Sequence, residues 1–430
     1  MASSRRIPPS PQGAFIPNVV LRITLLQWSL LIFGLTLTVH FTFYRLTGLE
    51  RTFEFNEMEK IARSLAIDNV FGNPYALPTG PSAHHAPIYP FLLSLIFRTF
   101  GYGPDAKFIQ AFINIAFVAI QMSLLPYLSR IANLPLQVGV VAGMVGALVP
   151  LRVFKETRFE SSLSGLAAVV FVIVLLSWLQ KEHVSARDSV LAGFLAGICV
   201  LATPPLLLVA LALIVAWFFL RPHKEVLILA VAFLAALLPW TVRNFFELGG
   251  LVPLRSNYSL ELSVSNEDDA HPKANDNFRN PIFRHPSTSE AEAIRVQQLG
   301  EITYNRERAS EARTWILRHP QRFLTLTALR TVYFWLPPYP PHQFMKALLD
   351  YPITILALIG LYLMLQQRLR LGVFLGVLLL IFPAVYYPIE ADTRYRYPID
   401  WAFLFLASYA YSFWLASRER RRVAASLAAS

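Results

Sequence analysis

Long apolar runs, separated by short polar segments, recur along almost the whole chain. An α-helix needs about 20 apolar residues to cross the hydrocarbon core of a bilayer. Ten runs reach or approach this length, and each is predicted to span the membrane. They cover residues 19–45, 107–128, 136–151, 160–180, 188–203, 204–220, 224–241, 349–366, 371–388 and 398–416. The pattern predicts an all-α, polytopic transmembrane bundle of about 10–12 spans.

Two further apolar stretches, 89–100 and 323–336, are shorter, and they contain Arg98 and Arg330 respectively. An arginine in mid-span costs about 2.5–3.5 kcal/mol on insertion scales. We therefore predict that both stretches form interfacial helices lying along the membrane surface. The first apolar run is too long for a signal-peptide core, and no small-x-small cleavage site follows it, so it is predicted to be an uncleaved span.

The composition supports a membrane protein and excludes other classes. Hydrophobic residues make up 55% of the chain, charged residues 15%, and the mean hydropathy is +0.46, whereas a soluble domain carries about a quarter charged residues. The net charge of +11 does not indicate nucleic-acid binding, because many basic residues lie in short loops and the C-terminal tail. The positive-inside rule predicts that these loops and both termini are cytoplasmic. The single cysteine, Cys199, excludes an intramolecular disulfide and a cysteine metal cluster.

The substantial polar segments then fall together on the non-cytoplasmic side. They are 46–106, 151–160, 243–346 and 386–400. We divide the chain into an N-terminal membrane module (1–241) with a first exoplasmic loop (46–106), a long exoplasmic loop (242–346), and C-terminal membrane helices with a basic tail (347–430). In the long loop, 287–319 is predicted to be a helix capped by Ser289, and 266–286 an irregular segment.

Acidic residues follow the first span directly. Glu54 and Glu57 are three residues apart and share one face of a short amphipathic helix. A carboxylate beside lipid can have its pKa raised toward the working range and act as a general base on an acceptor hydroxyl. The alternative interpretation is a solvated interfacial helix.

A histidine pair, His84 and His85, precedes a proline-flanked helix start near Tyr89. A helix N-terminus attracts phosphate, and an imidazole can donate a hydrogen bond to a phosphate oxygen. The pair can equally be two surface histidines at a helix cap. Metal binding by the pair is not predicted, since two adjacent rings do not easily face one ion.

Charged residues near the ends of three predicted membrane spans are further candidates for substrate binding. Glu156 or Glu160 could position a substrate, or both belong to a hydrated loop. Arg243 could hold a phosphate or mark a membrane boundary. Arg394 and Arg396 run against the positive-inside trend, which favours a role in phosphate binding.

Several short sequence motifs, taken in order along the chain, resemble motifs of the GT-C-fold membrane glycosyltransferases. Within that family, they resemble the bacterial protein-O-mannosyltransferase and aminoarabinose-transferase-like set. The motifs are E-x-x-x-I-A at 57–62, G-P-S-A-H-H-A-P-I-Y-P at 80–90, L-P-W-T-V-R-N at 238–244, H-P-Q-R-F at 319–323 and R-Y-R-Y-P-I-D at 394–400. No P-loop, G-x-G-x-x-G, H-E-x-x-H or G-x-S-x-G sequence occurs.

The resemblance implies transfer of a sugar from a polyprenyl-phosphate carrier to an acceptor on the exoplasmic face. The family's acid after the first span is an Asp-Glu pair, and here Glu57 fits that place best, with Glu54 second. The family often has Lys-Pro-Pro where this chain has His85-Ala86-Pro87, and the acid of its second exoplasmic loop corresponds to Glu156 or Glu160.

The implied partners are a polyprenyl-phosphate-linked sugar, the lipid bilayer and an acceptor glycan, lipid or protein, with no nucleic acid. The implied location is a bacterial-type cytoplasmic membrane. No cofactor or metal ion is predicted. Two other functions stay open at this point, namely a transporter or flippase of lipid-linked sugars and a non-catalytic membrane subunit.

Overall fold

The computed structural model describes residues 23–48, 56–150, 157–280 and 284–429. These residues form helices and loops without any β-strand, and two isolated bridges join Gly72 to Pro81 and Lys273 to Ala391. Six helices in the described chain are long and apolar enough to cross a membrane. They are Leu25–Thr47, Pro104–Ile131, Ser161–Gln180, His223–Leu248, Pro341–Gln366 and Thr393–Leu427. The predicted all-α, polytopic fold is confirmed.

The other four predicted spans also coincide with helices, which are shorter. They are Leu136–Leu148, Ala186–Ala202, Leu206–Phe218 and Arg370–Ile381. Proline bounds three of them, with Pro135 and Pro205 at two starts and Pro383 just after the last. Proline lacks a backbone N–H and cannot continue a helix at these places.

Close helix packing in the bundle depends on small residues. A Cβ added to Gly193 would lie 2.1 Å from the carbonyl oxygen of Leu229, and one added to Gly360 would lie 2.0 Å from that of Leu406. Glycine therefore lets Ala186–Ala202 approach His223–Leu248 at backbone contact, which is typical of membrane helix pairs.

The two arginine-containing stretches form the helices Ile88–Phe100 and Pro320–Trp335. Arg330 is buried, and it donates to Asn266 Oδ1 at 3.0 Å and to the Pro388 carbonyl at 2.8 Å. Arg98 donates to the Leu65 carbonyl at 2.9 Å. Both guanidinium groups therefore donate hydrogen bonds to protein oxygens. The placement of these helices at the membrane surface stays a prediction.

Three local predictions are corrected by the structure. The helix expected over 287–319 is two helices, Glu290–Leu299 and Glu301–Arg318, because Gly300 adopts a left-handed φ of 75° between them. The segment 266–286, expected to be irregular, contains the short helix Ala274–Phe278. The span expected to end at 241 continues to Leu248 with Pro239 inside it.

The helix cap at Ser289 is confirmed, because its Oγ accepts a hydrogen bond from the Glu292 N–H at 3.4 Å. The end of the helix His223–Leu248, which is longer than the predicted span, also has a local cause. Gly249 ends that helix with a φ of 69°, a conformation that costs glycine little.

The four polar segments meet at one end of the bundle. Asn56 Nδ2 donates to the Arg158 carbonyl at 3.0 Å, which joins the first segment to the second. The Ser256 N–H donates to the Ala83 carbonyl at 2.9 Å, which joins the third to the first. Asn266 Nδ2 donates to the Pro388 carbonyl at 2.8 Å, which joins the third to the fourth. Polar side chains distant in sequence are thereby brought together.

Candidate functional site

The site begins at the first residue of the helix Glu57–Ile67. Asn56 caps this helix by a reciprocal capping box, in which its Oδ1 accepts from the Glu59 N–H at 3.1 Å and Glu59 Oε2 accepts from the Asn56 N–H at 3.0 Å. Glu59 is buried and also pairs with Lys107 at 2.5 Å. Glu59 therefore holds the helix start, and Glu57 is directed away from it. Glu54 lies outside the described residues.

Three histidines surround the Glu57 carboxylate. His84 Nε2 lies 3.1 Å and His85 Nε2 lies 3.3 Å from Oε2, and His285 Nδ1 lies 3.6 Å from Oε1. Glu261 adds a second carboxylate, with Oε1 3.8 Å from His285 Nε2. The predicted neighbours of Glu57 are thus brought to it, and the long loop contributes two more side chains.

Other groups fix the orientation of the histidine rings. The Tyr75 hydroxyl is hydrogen-bonded to His84 Nδ1 at 3.1 Å, and this leaves Nε2 directed at Glu57. The Ser287 N–H donates to His285 Nδ1 at 3.1 Å. Arg255 Nε donates to the His84 carbonyl at 3.1 Å. The cluster is held by hydrogen bonds from both loops.

The environment sets the charge of this cluster. Burial on its own would raise the pKa of Glu57, but the charge and hydrogen bond of His84, with help from His85 and His285, lower it well below its usual value. This corrects the prediction that lipid raises the pKa of Glu57, because imidazoles rather than hydrocarbon face the carboxylate. Burial, with the charge of Arg255, lowers the pKa of His85 to about 4.

His285 behaves differently from His85. Burial lowers the pKa of His285, but the hydrogen bond of Glu261 and the charges of Glu57 and Glu261 outweigh it, and the net shift is upward. Opposite shifts of neighbouring groups are common at functional sites.

Glu57 lies at the wall of a cavity of about 600 Å³. One part of the wall is polar, and the other is apolar and lies between membrane helices. Polar or charged lining residues include Asn56, Glu57, His85, Tyr89, Glu160, Arg255, Asn257, Glu261, Arg394 and Tyr395. Apolar lining residues include Ala202, Pro204, Pro205, Leu207, Leu208, Leu254, Ala384, Val385 and Ile389. A space with both characters suits an amphipathic ligand.

Arg394 supplies a cation to this cavity. Its guanidinium lies 5.2 Å from the ring centre of Phe159 and 4.9 Å from that of Tyr395, and its Nη2 donates to the Tyr395 hydroxyl at 3.0 Å. Tyr395 in turn donates to Glu390 Oε1 at 2.7 Å. Two aromatic rings and a hydroxyl thus fix the position of the charge.

Two other predicted residues also reach the cavity. The Tyr89 hydroxyl accepts hydrogen bonds from Asn114 Nδ2 at 2.7 Å and Gln110 Nε2 at 3.2 Å. Glu160 lies at the cavity wall, just before the helix Ser161–Gln180. Glu156 lies outside the described residues.

Arg243 and Arg396 do not line the cavity. Arg243 donates to the carbonyls of Ser82 at 2.8 Å and Phe71 at 2.7 Å, and so supports the loop that carries His84. Arg396 is buried in the bundle, where its Nε donates to Asp400 Oδ1 at 2.9 Å.

Four important residues were missed by the sequence reasoning. His285, Glu261 and Arg255 come from the long loop, and Glu301 joins that loop to the histidine pair. Glu301 Oε1 accepts from the Ala83 N–H at 2.8 Å and from Ser256 Oγ at 2.6 Å. The only local signal was a histidine beside proline in a polar segment, which carries no information about its partners.

Comparison with known proteins identifies the fold. No protein-family model and no curated protein matches the sequence. The archaeal oligosaccharyltransferase AglB from Archaeoglobus fulgidus, in complex with an inhibitory peptide and a dolichol-phosphate, superposes with a TM-score of 0.54 over 92% of this chain at 15% identity. The apo form of the Archaeoglobus fulgidus oligosaccharyltransferase gives a TM-score of 0.56 over 94% of this chain at 14% identity.

The shared fold is the GT-C fold. This chain covers 51% and 52% of the two oligosaccharyltransferase chains, about half of their length. The resemblance to GT-C-fold proteins is confirmed at the level of fold. Membership of the mannosyltransferase-like or aminoarabinose-transferase-like set stays a prediction.

Proposed function

We propose that this chain is an integral-membrane glycosyltransferase that moves a sugar from a polyprenyl-phosphate carrier to an acceptor hydroxyl. The observation that carries the proposal is the position of the Glu57 carboxylate, which faces a cavity that also contains Arg394 and a wall of apolar residues between membrane helices. The GT-C fold supports it, and one of the two oligosaccharyltransferase structures contains a dolichol-phosphate, which is a lipid phosphate of the same class.

The proposed donor has an apolar isoprenoid tail and an anionic phosphate group, and the cavity has a region suited to each. Leu207, Leu208 and Val385 form apolar wall against which an isoprenoid chain can pack. Arg394 and Arg255 provide cations for the phosphate. The N-terminus of the helix Ile88–Phe100 also lies at this wall, and its free N–H groups favour an anion.

The transfer step follows from these positions. The acceptor hydroxyl oxygen forms a bond to the anomeric carbon of the sugar, and the bond from that carbon to the phosphate oxygen breaks. The phosphate leaves with the bonding electron pair, and Arg394 stabilises the charge that develops on it. The hydroxyl proton passes to Glu57, with Glu160 and Tyr89 in reach of the sugar or the acceptor. A single displacement of this kind inverts the configuration of the anomeric carbon.

The side of the membrane follows from charge. The short basic loops lie at the opposite ends of the helices from the polar segments that form the site. Under the positive-inside rule the cavity is exoplasmic and both termini are cytoplasmic. We propose a multi-pass protein of a bacterial-type cytoplasmic membrane.

Replacing one carboxylate tests the proposal. Membranes that contain the wild-type protein, Glu57→Gln or the exposed control Glu182→Gln are given a panel of radiolabelled polyprenyl-phosphate sugars. We expect transfer to fall about 100-fold or more in Glu57→Gln, since general-base catalysis contributes about 10²–10⁴-fold. The control should transfer at the wild-type rate, and all three proteins should be present at equal amounts.

Other outcomes of the same assay favour the other functions. Undiminished transfer in Glu57→Gln would remove this carboxylate from the mechanism. Movement of the labelled lipid between leaflets without transfer would indicate a flippase. The absence of both in the wild-type protein would indicate a non-catalytic subunit.

A further inference from the structure

Two arginines meet at the end of the bundle opposite the cavity. The helix Ser161–Gln180 begins at the cavity wall, and its 20 residues extend about 30 Å from there. Arg221 and Arg370 both donate hydrogen bonds to its far end. We propose that these two arginines bind the phosphate group of an anionic glycerophospholipid. The proposed site is distant from the cavity and does not rest on the proposed function.

Both guanidinium groups donate to the same backbone carbonyl. Arg221 Nη2 donates to the Leu179 carbonyl, and Arg370 Nη1 donates to the same oxygen at 3.4 Å. Arg221 Nη1 also donates to the Lys181 carbonyl at 3.4 Å. The last carbonyls of a helix have no partner within that helix, and here they attract cations from two other segments. The shared oxygen holds two positive charges side by side.

The protein compensates only part of this charge. A helix C-terminus carries about half a negative charge, whereas the two guanidinium groups carry two positive ones. Asp188 is paired with Lys181 at 2.5 Å, and in the part of the chain that the structure describes neither Arg221 nor Arg370 is paired with a carboxylate. One arginine would be enough to cap the helix. The second leaves an excess of positive charge that a bound anion would neutralise.

The shape of the two groups matches a phosphate. Arg370 is exposed, and among the described residues only its Nη1 has a protein acceptor. A guanidinium group presents its N–H donors in a planar fork that fits two oxygens of one phosphate. Two such groups fixed by one carbonyl can contact the same phosphate from two sides.

Apolar side chains beside the arginines favour a lipid over a free phosphate. Phe218, Phe219 and Leu220 directly precede Arg221, and they are 43%, 78% and 76% exposed. Exposed aromatic residues at the end of a membrane helix are typical of the depth of the headgroups. A phospholipid can therefore place its phosphate on the arginines and its acyl chains along these side chains.

The net charge of the headgroup follows from the surplus of cations. A zwitterionic headgroup would bring its own positive charge to a site that already has too much, whereas an anionic headgroup would not. Basic pockets between membrane helices on the cytoplasmic side are typical sites for anionic headgroups, and Arg221 and Arg370 belong to loops that are predicted to be cytoplasmic.

Lipid retention measures the proposal directly. The full-length protein is purified in detergent, titrated with phosphatidylglycerol or with zwitterionic phosphatidylcholine, and analysed by native mass spectrometry. We expect the wild-type protein to retain phosphatidylglycerol in preference to phosphatidylcholine. The variant Arg221→Gln/Arg370→Gln should bind phosphatidylglycerol about tenfold or more weakly, since each basic residue near anionic lipid contributes about fivefold.

Matched controls separate this site from general charge effects and from misfolding. Arg418→Gln/Arg420→Gln removes the same charge from exposed positions of the C-terminal helix and should keep the wild-type affinity. The single variant Arg370→Gln loses only one bond of 3.4 Å at an exposed position, so it covers the case in which the double variant does not fold. We expect it to bind about fivefold more weakly.

Three results would overturn the proposal. The first is equal retention of phosphatidylglycerol by the wild type, Arg370→Gln and the double variant. The second is displacement of phosphatidylglycerol by inorganic phosphate at equal concentration, which would indicate a free phosphate as the ligand. The third is loss of the lipid in Arg394→Met but not in Arg221→Gln/Arg370→Gln, which would place it in the cavity.

The same preparations separate this inference from the proposed function. Selective lipid retention at the two arginines without sugar transfer leaves the lipid site standing and removes the glycosyltransferase. Sugar transfer by a protein whose lipid retention is the same in all variants leaves the enzyme standing and removes the lipid site.

Discussion

Arg394 and Arg396 are two residues apart in the same short sequence motif, yet their side chains lie in different regions of the molecule. Arg394 lies at the wall of the large cavity near Glu57, with two aromatic rings beside it. Arg396 borders a separate cavity of about 70 Å³ inside the helical bundle. Residues two apart on a helical turn do not share a face, so one arginine is directed to the site and the other to the core.

The partners of the two arginines show the same division. Arg396 donates to Asp400 Oδ1 at 2.9 Å, to the Trp335 carbonyl at 3.0 Å and to Thr354 Oγ1 at 2.8 Å, so each of its three nitrogens has a protein acceptor. Arg394 Nε, in contrast, has no hydrogen-bond partner within the described residues. Arg396 is therefore a structural element of the bundle, whereas the side chain of Arg394 lines the cavity and is the one placed to meet an anionic ligand.

Removing the structural cation should give the largest effect. Arg396→Met breaks the ion pair between Arg396 and Asp400 inside the bundle, and breaking a buried pair in this way costs about 3–5 kcal/mol. We expect a large drop in the unfolding temperature in detergent and in the yield of folded protein. The double variant Arg396→Met/Asp400→Leu should recover part of the loss, because both charges of the pair are then replaced by apolar groups. Equal stability of wild type and Arg396→Met would contradict the structural role.

Removing the site cation should change activity instead. Arg394→Met keeps an extended side chain between the two rings but removes the charge, and loss of one group that stabilises developing charge typically costs about 10²–10³-fold in rate. We expect about a 100-fold lower rate of sugar transfer, with the unfolding temperature close to that of the wild type. Arg418→Met, at an exposed position of the C-terminal helix, serves as the control. A stability loss as large as that of Arg396→Met would end the distinction between the two arginines.

A smaller effect should appear in the pH dependence of stability, through Glu390. This carboxylate accepts a hydrogen bond from the Tyr395 hydroxyl, which is itself bonded to Arg394. Burial, with the nearby charge of Glu261, raises the pKa of Glu390 to about 7 from 4.5. The Glu390 carboxyl therefore binds its proton more tightly in the folded protein than in the unfolded chain. The stabilisation is fully present below pH 4.5 and is lost as the pH rises through about 7.

The shift corresponds to a stability difference of about 2 kcal/mol between about pH 5.5 and pH 7.5. Glu390→Gln stays neutral at every pH, so thermal unfolding in detergent should show a smaller loss of stability over this interval than the wild type. Identical pH profiles of the two proteins would exclude Glu390 as the titrating group.

The sequence predicted the fold well because its signals are local. A run of apolar residues reports a membrane helix without knowledge of any partner, and each predicted span coincides with a helix. Local signals also indicated that Glu57, His84 and His85 lie near one another, because all three belong to the one polar segment that follows the first span. The break at Gly300 was missed because glycine within a helical pattern does not by itself reveal a positive φ.

The remainder of the site depends on long-range contacts that no local pattern reports. His285 reaches Glu57 from a position more than two hundred residues later in the chain, through a loop without regular periodicity. Arg394 and Arg396 have the same residue type and similar neighbours, and only the packing of the last span distinguishes them. Against the effect of burial, the pKa of Glu57 is lowered by His84, His85 and His285, and of these three only His285 was missed from the sequence.

The bonds of Glu301 have a consequence for engineering. The Glu301 carboxylate accepts hydrogen bonds from the Ala83 N–H, just before the histidine pair, and from Ser256 Oγ, near the start of the third polar segment. It therefore joins these two segments. Chimaeras that exchange residues 249–318 for the equivalent part of another protein would detach His84 and His85 from their anchor. The two segments are joined through Glu301, and a successful graft must carry residues 71–85 along with 249–318.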